Sequence, residues 1–170
     1  IYRPEIPVVW NTHGYERIES LRIADKFTDV YLPDLKFIDS ALAKRYTARE
    51  DYAKFAIPAV EFMAQKPLKL RGDGKMLSGC IVRHLVLPLA AYDSVNVVKF
   101  VSTLPDSVYF SLMSQYTPFG EIENFKELQR GITKREYRKV LDAVGEYGLK
   151  NVFIQERESA EQSYIPEWDY

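Results

Sequence analysis

The sequence predicts an α/β protein, a partial and open TIM-like (β/α) barrel with parallel strands. Short runs of apolar and β-branched residues recur along the chain, and most of them are apolar on both faces. Such runs are typical of strands buried in a parallel sheet. Stretches with helical spacing separate the runs, which indicates successive βα units. Four or five strands are too few to close an eight-stranded barrel, so we expect an open sheet.

Five segments are predicted to be strands, and one long helix and one loop lie among them. The strands are Ile6–Asn11, Asp29–Leu32, Cys80–Leu87, Ser107–Met113 and Asn151–Gln155. The segment Arg49–Gln65 has helical spacing, and Pro58 is predicted to kink it. The segment Lys66–Ser78 contains the turn residues Gly72-Asp73-Gly74 and is predicted to be a mobile loop.

Two further helices have recognisable ends. Asp93 or Ser94 is predicted to cap a helix that Pro105 stops. Thr133 and Glu136 form a T-x-x-E capping box at the start of the second helix, and Gly148 occupies the position of a C-terminal cap. Between these ends runs an apolar stripe with helical spacing, formed by Tyr137, Val140, Leu141, Val144 and Tyr147.

Composition favours a single domain over residues 1–170. The net charge of −1 provides no basic field for nucleic acid or an anionic membrane, and no apolar run approaches the roughly 20 residues that span a bilayer. The lone cysteine, Cys80, fits a reducing compartment, so we expect a cytoplasmic protein. The chain starts without Met and without a signal peptide, and it enters a predicted strand within a few residues, so we expect a truncated piece. The polar and aromatic tail Ser159–Tyr170 is expected to lie across the surface.

Polar residues follow the predicted strands where catalytic and binding groups gather in parallel sheets. Asn11 and Thr12 follow the first strand, and Asp34 and Lys36 follow the second. The sequence MSQYTP follows the fourth strand. Each group also has a plain structural interpretation: Asn11 and Thr12 could cap the next helix, and Asp34 and Lys36 could be solvated loop residues. We predict that Asn11, Thr12, Asp34, Lys36, Arg83 and Gln115 converge on one cleft.

Arg83 and His84 are adjacent on a predicted buried strand, so their side chains point to opposite faces. A buried guanidinium must find partners, because an unpaired buried charge is costly. We predict that Arg83 faces the polar interior and that His84 is a hydrogen-bonded core histidine. His13 lacks a companion at metal-ligand spacing, so a loop or substrate contact is favoured. Cys80 is predicted to be a small buried apolar residue.

Five ordered segments carry a resemblance to a known family. The segments VVWNTHGY, DVYLPDLKF, IVRHLVLP, SLMSQYTP and FIQE…YIPEWD cover essentially the whole chain. They resemble the radical S-adenosylmethionine enzymes of the pyruvate formate-lyase-activating family, and specifically the C-terminal part of their barrel. The resemblance implies a parent in which a [4Fe-4S] cluster cleaves S-adenosylmethionine to a 5′-deoxyadenosyl radical. It also implies a glycyl radical enzyme as partner and an electron donor such as flavodoxin.

The resemblance also implies roles for particular residues. Asn11 and Thr12 fall on the family's polar residues after this strand, although related activases have an acidic residue where Asn11 stands. Asp34 and Lys36 match a D-x-K motif implied to contact the methionine part of the cofactor or a cation. Arg83 matches a strand arginine. Gln115 and Tyr116 fall where the activases have a cofactor-contacting polar or histidine side chain. The residues implied to bind cofactor are thus Asn11, Thr12, Asp34, Lys36, Arg83, Gln115 and Tyr116.

The family's CxxxCxxC and GGE motifs do not occur in this sequence. Three closely spaced thiolates are needed to hold the cluster, and Cys80 alone cannot replace them. We therefore expect this chain to bind no cluster, to bind the cofactor weakly at most and to have no catalytic residue or metal site of its own.

Two other interpretations stay open. Lys36, just past a barrel strand, could be the nucleophile of a Schiff-base lyase. Alternatively, the chain is a non-enzymatic domain that binds a partner through a strand edge. The first predicted strand would be such an edge, and we expect it to be covered by a second copy, giving a homodimer, or by a terminal tail.

Overall fold

The computed structural model describes residues 6–155, which form five α-helices and six strands. The strands are β1 (Val9–Thr12), β2 (Val30–Pro33), β3 (Lys69–Leu70), β4 (Met76–Leu85), β5 (Tyr109–Met113) and β6 (Val152–Ile154). The helices are α1 (Ile18–Ala24), α2 (Ser40–Thr47), α3 (Tyr52–Ala64), α4 (Ala91–Val101) and α5 (Lys134–Glu146), with one 3₁₀ turn, Lys126–Gln129.

The strands form an open sheet in the order β1-β2-β4-β5-β6, and all neighbours along this path are parallel. The short strand β3 pairs antiparallel with β4. Strands β1 and β6 lie at opposite edges. The α/β class and the open, partial barrel with parallel strands are therefore confirmed.

The alternation of β4 separates a helix-covered face from an open face. Cys80, Val82 and His84 are buried, whereas Arg83 and Leu85 are half-buried on the other side. The apolar side chains of the buried face join the core beneath α3 and α4. The predicted orientations of Arg83 and His84, and the burial of Cys80, are therefore confirmed.

Strand β1 is less buried than its sequence predicted. Val9 and Trp10 are 52% and 39% exposed, because β1 has a neighbour on one side only and no described element covers its outer edge. The prediction of a strand buried on both faces is therefore wrong for β1, whereas its predicted position at an edge of the sheet is confirmed for the described residues.

The predicted loop Lys66–Ser78 forms a β-hairpin. Lys69 pairs with Ser78, and the amide of Arg71 donates to the carbonyl of Lys75 at 2.8 Å. Strand β4 consequently begins at Met76 and ends at Leu85, whereas the sequence predicted Cys80–Leu87. The glycines mark the tip of this hairpin, as Gly74 adopts φ +83°.

The helix ends match the predictions in part. The capping box of Thr133 and Glu136 is confirmed, and Gly148 follows α5 in a left-handed conformation. The prediction that Asp93 or Ser94 caps α4 is wrong, because α4 begins at Ala91 and these two side chains bind other parts of the fold. Helix α3 runs from Tyr52 to Ala64 with Pro58 inside it.

The described residues contain no helix long and apolar enough to cross a bilayer. The tail Ser159–Tyr170, predicted to lie across the surface, is outside the described residues, as is the YIPEWD part of the fifth family-like segment.

Candidate functional site

Three neighbouring strands bring Asn11, Asp34 and Arg83 together at the carboxyl edge of the sheet. Asp34 directly follows β2, and its amide donates to the carbonyl of Thr12 at 2.8 Å. On its other side Asp34 forms a parallel bridge with Arg83 of β4. The backbone pairing of the sheet therefore fixes where these side chains meet.

The guanidinium of Arg83 spans its two partners. Its Nε donates to Oδ1 of Asp34 at 2.8 Å, and Nη2 lies 2.7 Å from the same oxygen. Nη2 also donates to Oδ1 of Asn11 at 2.8 Å. The Arg83 and Asp34 side chains are 26% and 22% exposed, so their hydrogen bonds are charge-assisted and only partly screened by water.

The turn after β1 packs tightly against this network. The hydroxyl of Thr12 donates to Glu16 at 2.6 Å and accepts from the amide of Gly14 at 3.2 Å. Gly14 adopts φ +74°, and a Cβ there would collide with the carbonyl oxygen of Asp34. Helix α1 begins after Arg17, so Asn11 and Thr12 do not cap it.

Tyr52 is a site residue that the sequence analysis missed. Its hydroxyl lies 2.9 Å from the carbonyl oxygens of His13 and Asp34 and accepts from the amide of Lys36 at 3.0 Å. Burial raises the pKa of Tyr52, so the hydroxyl stays protonated. One buried phenol thus ties the turn after β1 to the turn after β2. No local pattern near Tyr52 indicates this role.

Two cavities meet at the Asp34–Arg83 pair. A polar recess of about 490 Å³ is lined by Asn11, Thr12, His13, Tyr15, Glu16, Asp34 and Arg83. An adjoining, mainly apolar cavity of about 320 Å³ is lined by Asp34, Leu35, Lys36, Phe37, Tyr46, Thr47, Arg83, Leu85, Leu87 and Met113. The ion pair forms part of the wall of both, so a ligand in either cavity would contact it.

Lys36 lines the apolar cavity, and its ammonium group makes no ion pair with any described residue. Tyr46 forms another part of this wall. The Tyr46 hydroxyl donates to Glu127 at 2.8 Å, and Arg45 lies 2.7 Å from the same carboxylate oxygen. Glu127 belongs to the segment between β5 and α5, so that segment fixes the Tyr46 side of the cavity.

The predicted convergence on one cleft holds for Asn11, Thr12, Asp34 and Arg83, which line the polar recess, whereas Lys36 lines the adjoining apolar cavity. It is wrong for Gln115, which lines neither cavity, and Tyr116 also lies apart. The Tyr116 hydroxyl donates to the carbonyl of Leu128 at 2.8 Å, within its own segment. Both residues follow β5, two strands away from β2, and the segment leaves the sheet there. His13 is exposed, with Nδ1 3.9 Å from Oδ2 of Asp34.

Buried polar groups beneath the site hold its loops. His84 is hydrogen-bonded to the carbonyl of Leu35 at 2.7 Å and to Ser94 at 2.8 Å, which confirms a core histidine. Burial lowers the pKa of His84 to about 4. The carboxylate of Asp93 accepts from the amides of Ile38 at 3.1 Å and Asp39 at 2.8 Å, and burial raises its pKa.

The residues of this chain do not fit an iron–sulfur cluster. Cys80 is the single cysteine of the sequence, and burial raises the pKa of its thiol to about 12. Cluster iron needs several accessible thiolates. Within residues 6–155 no three His, Cys, Asp or Glu side chains are grouped to hold a metal ion.

Comparisons with known proteins agree with this fold. No family model matches the chain. An uncharacterized protein of Methanocaldococcus jannaschii is 26% identical over 149 residues, which cover 87% of this chain. The matched region is 40% of that protein, so this chain spans less than half the length of the curated relative it matches.

A solved structure has a similar architecture. The crystal structure of a domain of pyruvate-formate lyase-activating enzyme from Bacteroides vulgatus superposes with a TM-score of 0.56 at 15% sequence identity. The superposition covers 82% of this chain and 75% of that one. At this identity the likeness shows the fold. The chain is therefore an open, partial (β/α) barrel of the kind seen in that domain.

Proposed function

We propose that this chain is the C-terminal part of the barrel of a radical S-adenosylmethionine enzyme, with Asn11, Thr12, Asp34, Lys36 and Arg83 facing the cofactor. The observation that carries the proposal is the Arg83 side chain, which is held between Asp34 and Asn11 at the carboxyl ends of three adjacent strands. The fold likeness to a domain of pyruvate-formate lyase-activating enzyme supports the class.

The donors and the apolar wall match the chemistry of S-adenosylmethionine. The ammonium of Lys36, which pairs with no residue in 6–155, and the fixed guanidinium of Arg83 suit a carboxylate. The Asn11 amide suits hydroxyl groups. Phe37 and Leu85 provide apolar surface for the sulfonium-bearing chain or the base. When bound to a cluster, this cofactor supplies a 5′-deoxyadenosyl radical. Tyr52 would act as a positioning residue, because it holds the backbone on both sides of Asp34.

The cluster ligands would come from another part of a longer protein. The matched region is 40% of the relative from M. jannaschii, so a protein of that length could include such a part. In this proposal the parent is cytoplasmic, takes electrons from a donor such as flavodoxin and activates a glycyl radical enzyme such as pyruvate formate-lyase. The amide of Asn11 stands where related activases have a carboxylate, so the protein that is activated would differ from theirs.

Anaerobic reconstitution of the complete gene product and of this chain tests the proposal. We expect the complete product to show [4Fe-4S] absorbance and to cleave S-adenosylmethionine, and this chain to do neither. In the complete product Lys36→Ala should weaken cofactor binding about tenfold or more while the cluster absorbance stays. Lys69→Ala, at an exposed hairpin position, is the matched control. Cleavage by this chain alone, or normal binding by Lys36→Ala, would contradict the proposal.

A Schiff-base lyase is a second candidate, favoured by the position of Lys36 in an apolar cavity. Asp34 is bound to Arg83, so its charge is already compensated. In this mechanism the Lys36 amine attacks a substrate carbonyl and releases water, which forms an iminium ion. Borohydride in the presence of a small keto acid would reduce that ion to a stable secondary amine. A mass increase on Lys36 that is absent from Lys36→Arg would favour the lyase, and an unmodified Lys36 would exclude it.

A further inference from the structure

A groove between α4 and α5, on the opposite side of the sheet from the open face, has an unusual surface. The groove has a volume of about 800 Å³. Leu89, Tyr92 and Val95 contribute apolar surface on the α4 side, and Arg135, Arg138 and Lys139 contribute positive charge on the α5 side. Leu89 and Tyr92 are 65% and 44% exposed.

Leu89 is held in a conformation that its side chain disfavours. It adopts φ +60°, and its amide donates to Oε1 of Glu136 at 2.8 Å. A left-handed conformation costs a residue with a side chain about 1–2 kcal/mol. This backbone conformation leaves the apolar side chain of Leu89 exposed at the rim of the groove. Strain of this kind is typical of recognition sites, where the surrounding structure enforces it.

Positive charges near the start of α5 also disfavour the helix. Lys134, Arg135, Arg138 and Lys139 are exposed in its first half. Lys134 and Arg135 lie in the first turn, where the helix dipole disfavours positive charge. None of the four makes an ion pair with a described residue. The groove also contains three acidic side chains. Glu136 is paired with Arg130, and Asp142 and Glu146 lie farther toward the C-terminal end of α5. The Leu89 end of the groove is therefore basic.

We propose that this groove is the docking site of the chain's own residues 156–170. Their sequence, ERESAEQSYIPEWDY, has five acidic residues and one arginine. It also has four large apolar or aromatic residues: Tyr164, Ile165, Trp168 and Tyr170. An acidic segment with aromatic anchors complements a groove that has apolar walls and a basic Leu89 end.

The reach of the chain permits this contact. The carbonyl of Gln155, the last described residue, accepts from the hydroxyl of Tyr137 in α5 at 3.1 Å. The segment therefore starts beside the N-terminal part of α5. Fifteen residues extend up to about 50 Å, and α5, with 13 residues, is about 20 Å long. The inference concerns the helix-covered side of the sheet and does not depend on the cofactor proposal.

Paramagnetic relaxation measured on the full chain tests the inference. Cys80 is 1% exposed, so a nitroxide reagent would label a cysteine introduced as Ser163→Cys and leave Cys80 unmodified. We expect selective broadening of the amide signals of Leu89, Tyr92 and Arg138. The broadening should be lost in Arg135→Glu/Arg138→Glu and at high salt. It should persist in Lys54→Glu/Lys69→Glu, which reverses two exposed charges elsewhere.

Three results would overturn the inference. One is broadening that lies elsewhere, such as along β1, or that is missing. The second is broadening that the groove variant leaves unchanged. The third is broadening between different chains. It would be seen when isotope-labelled chains without a nitroxide are mixed with nitroxide-labelled chains at natural isotope abundance, and it would mean that the segment docks on a second copy.

Discussion

Arg83 in β4 and Asp34 after β2 form an ion pair in which Nε and Nη2 lie 2.8 and 2.7 Å from one carboxylate oxygen. Both side chains are about three-quarters shielded from water. The pair closes the carboxyl edge of the sheet between β2 and β4, where their strand pairing ends. It separates the polar recess from the apolar cavity, so the geometry of both depends on it.

A double-mutant cycle with Arg83→Met and Asp34→Asn measures the coupling free energy between the two side chains of this pair. We expect a coupling free energy of about 1–2 kcal/mol, because Arg83→Met leaves the shielded Asp34 carboxylate without its guanidinium and Asp34→Asn removes the charge that Arg83 pairs with. Urea unfolding of the four proteins provides the measurement. The control is the exposed pair Arg71–Asp73, whose Nη2–Oδ2 distance is 2.6 Å and whose coupling should be under about 0.5 kcal/mol. Equal coupling in the two cycles would contradict the shielding argument.

The buried imidazole of His84 predicts a loss of stability in mild acid. Its pKa is lowered to about 4 in the folded chain, against about 6.5 in the unfolded chain. Between these values the unfolded state binds more protons, so the free energy of unfolding falls as the pH is lowered from 6.5 to 4. At pH 5 the loss from this group is about 2 kcal/mol.

Urea unfolding at pH 7, 6 and 5 checks this effect, with His84→Gln as the comparison. The variant should show a shallower pH dependence. In a His13→Gln background, proton NMR should place the midpoint of the remaining imidazole near pH 4. A midpoint near 6.5 would show that His84 is solvated rather than buried.

Ala48 offers a position where glycine should stabilise the chain. It ends α2 at φ +57° and is exposed. Relief of the left-handed strain outweighs the larger entropy of an unfolded glycine, so Ala48→Gly should raise the free energy of unfolding by about 0.5 kcal/mol. Ala41→Gly, in the first turn of the same helix, should instead lower it by up to about 1 kcal/mol. A destabilised Ala48→Gly would argue against the left-handed cap.

The exposed edge of β1 predicts self-association. Val9 and Trp10 present apolar surface on a strand that has one neighbour within residues 6–155, so we propose that two copies pair through this edge. Light scattering should detect a dimer whose population rises with concentration, and Trp10→Lys should abolish it. Phe119→Lys, at a 72% exposed position in the segment after β5, is the control. A monomer at all concentrations would rule out this interface.

The sequence predicted the parts of the fold that depend on local pattern. The alternation along β4 correctly assigned Arg83 and His84 to opposite faces, and the capping box correctly located the start of α5. The polar residues after β1 and β2 were correctly grouped, since parallel strands end at one edge.

Features set by distant contacts could not be predicted in this way. Tyr52 bonds to groups 16 to 39 residues away, so no nearby pattern indicates it. Asp93 has the composition of a helix cap, but its carboxylate binds amides 54 and 55 residues away. The exposure of Val9 and Trp10 depends on what packs against β1, which the apolar character of these residues does not encode.

A titration of this chain with S-adenosylmethionine, followed by NMR, tests the proposed cofactor wall. We expect weak binding, with signal changes at the amides of Asn11, Asp34 and Lys36 and at the Arg83 Nε group. Lys36→Ala should weaken this binding about tenfold, as expected for the loss of one charge-assisted contact. Lys69→Ala should bind like the unchanged chain. Absence of binding, or changes confined to residues outside the two cavities, would contradict the proposed cofactor wall.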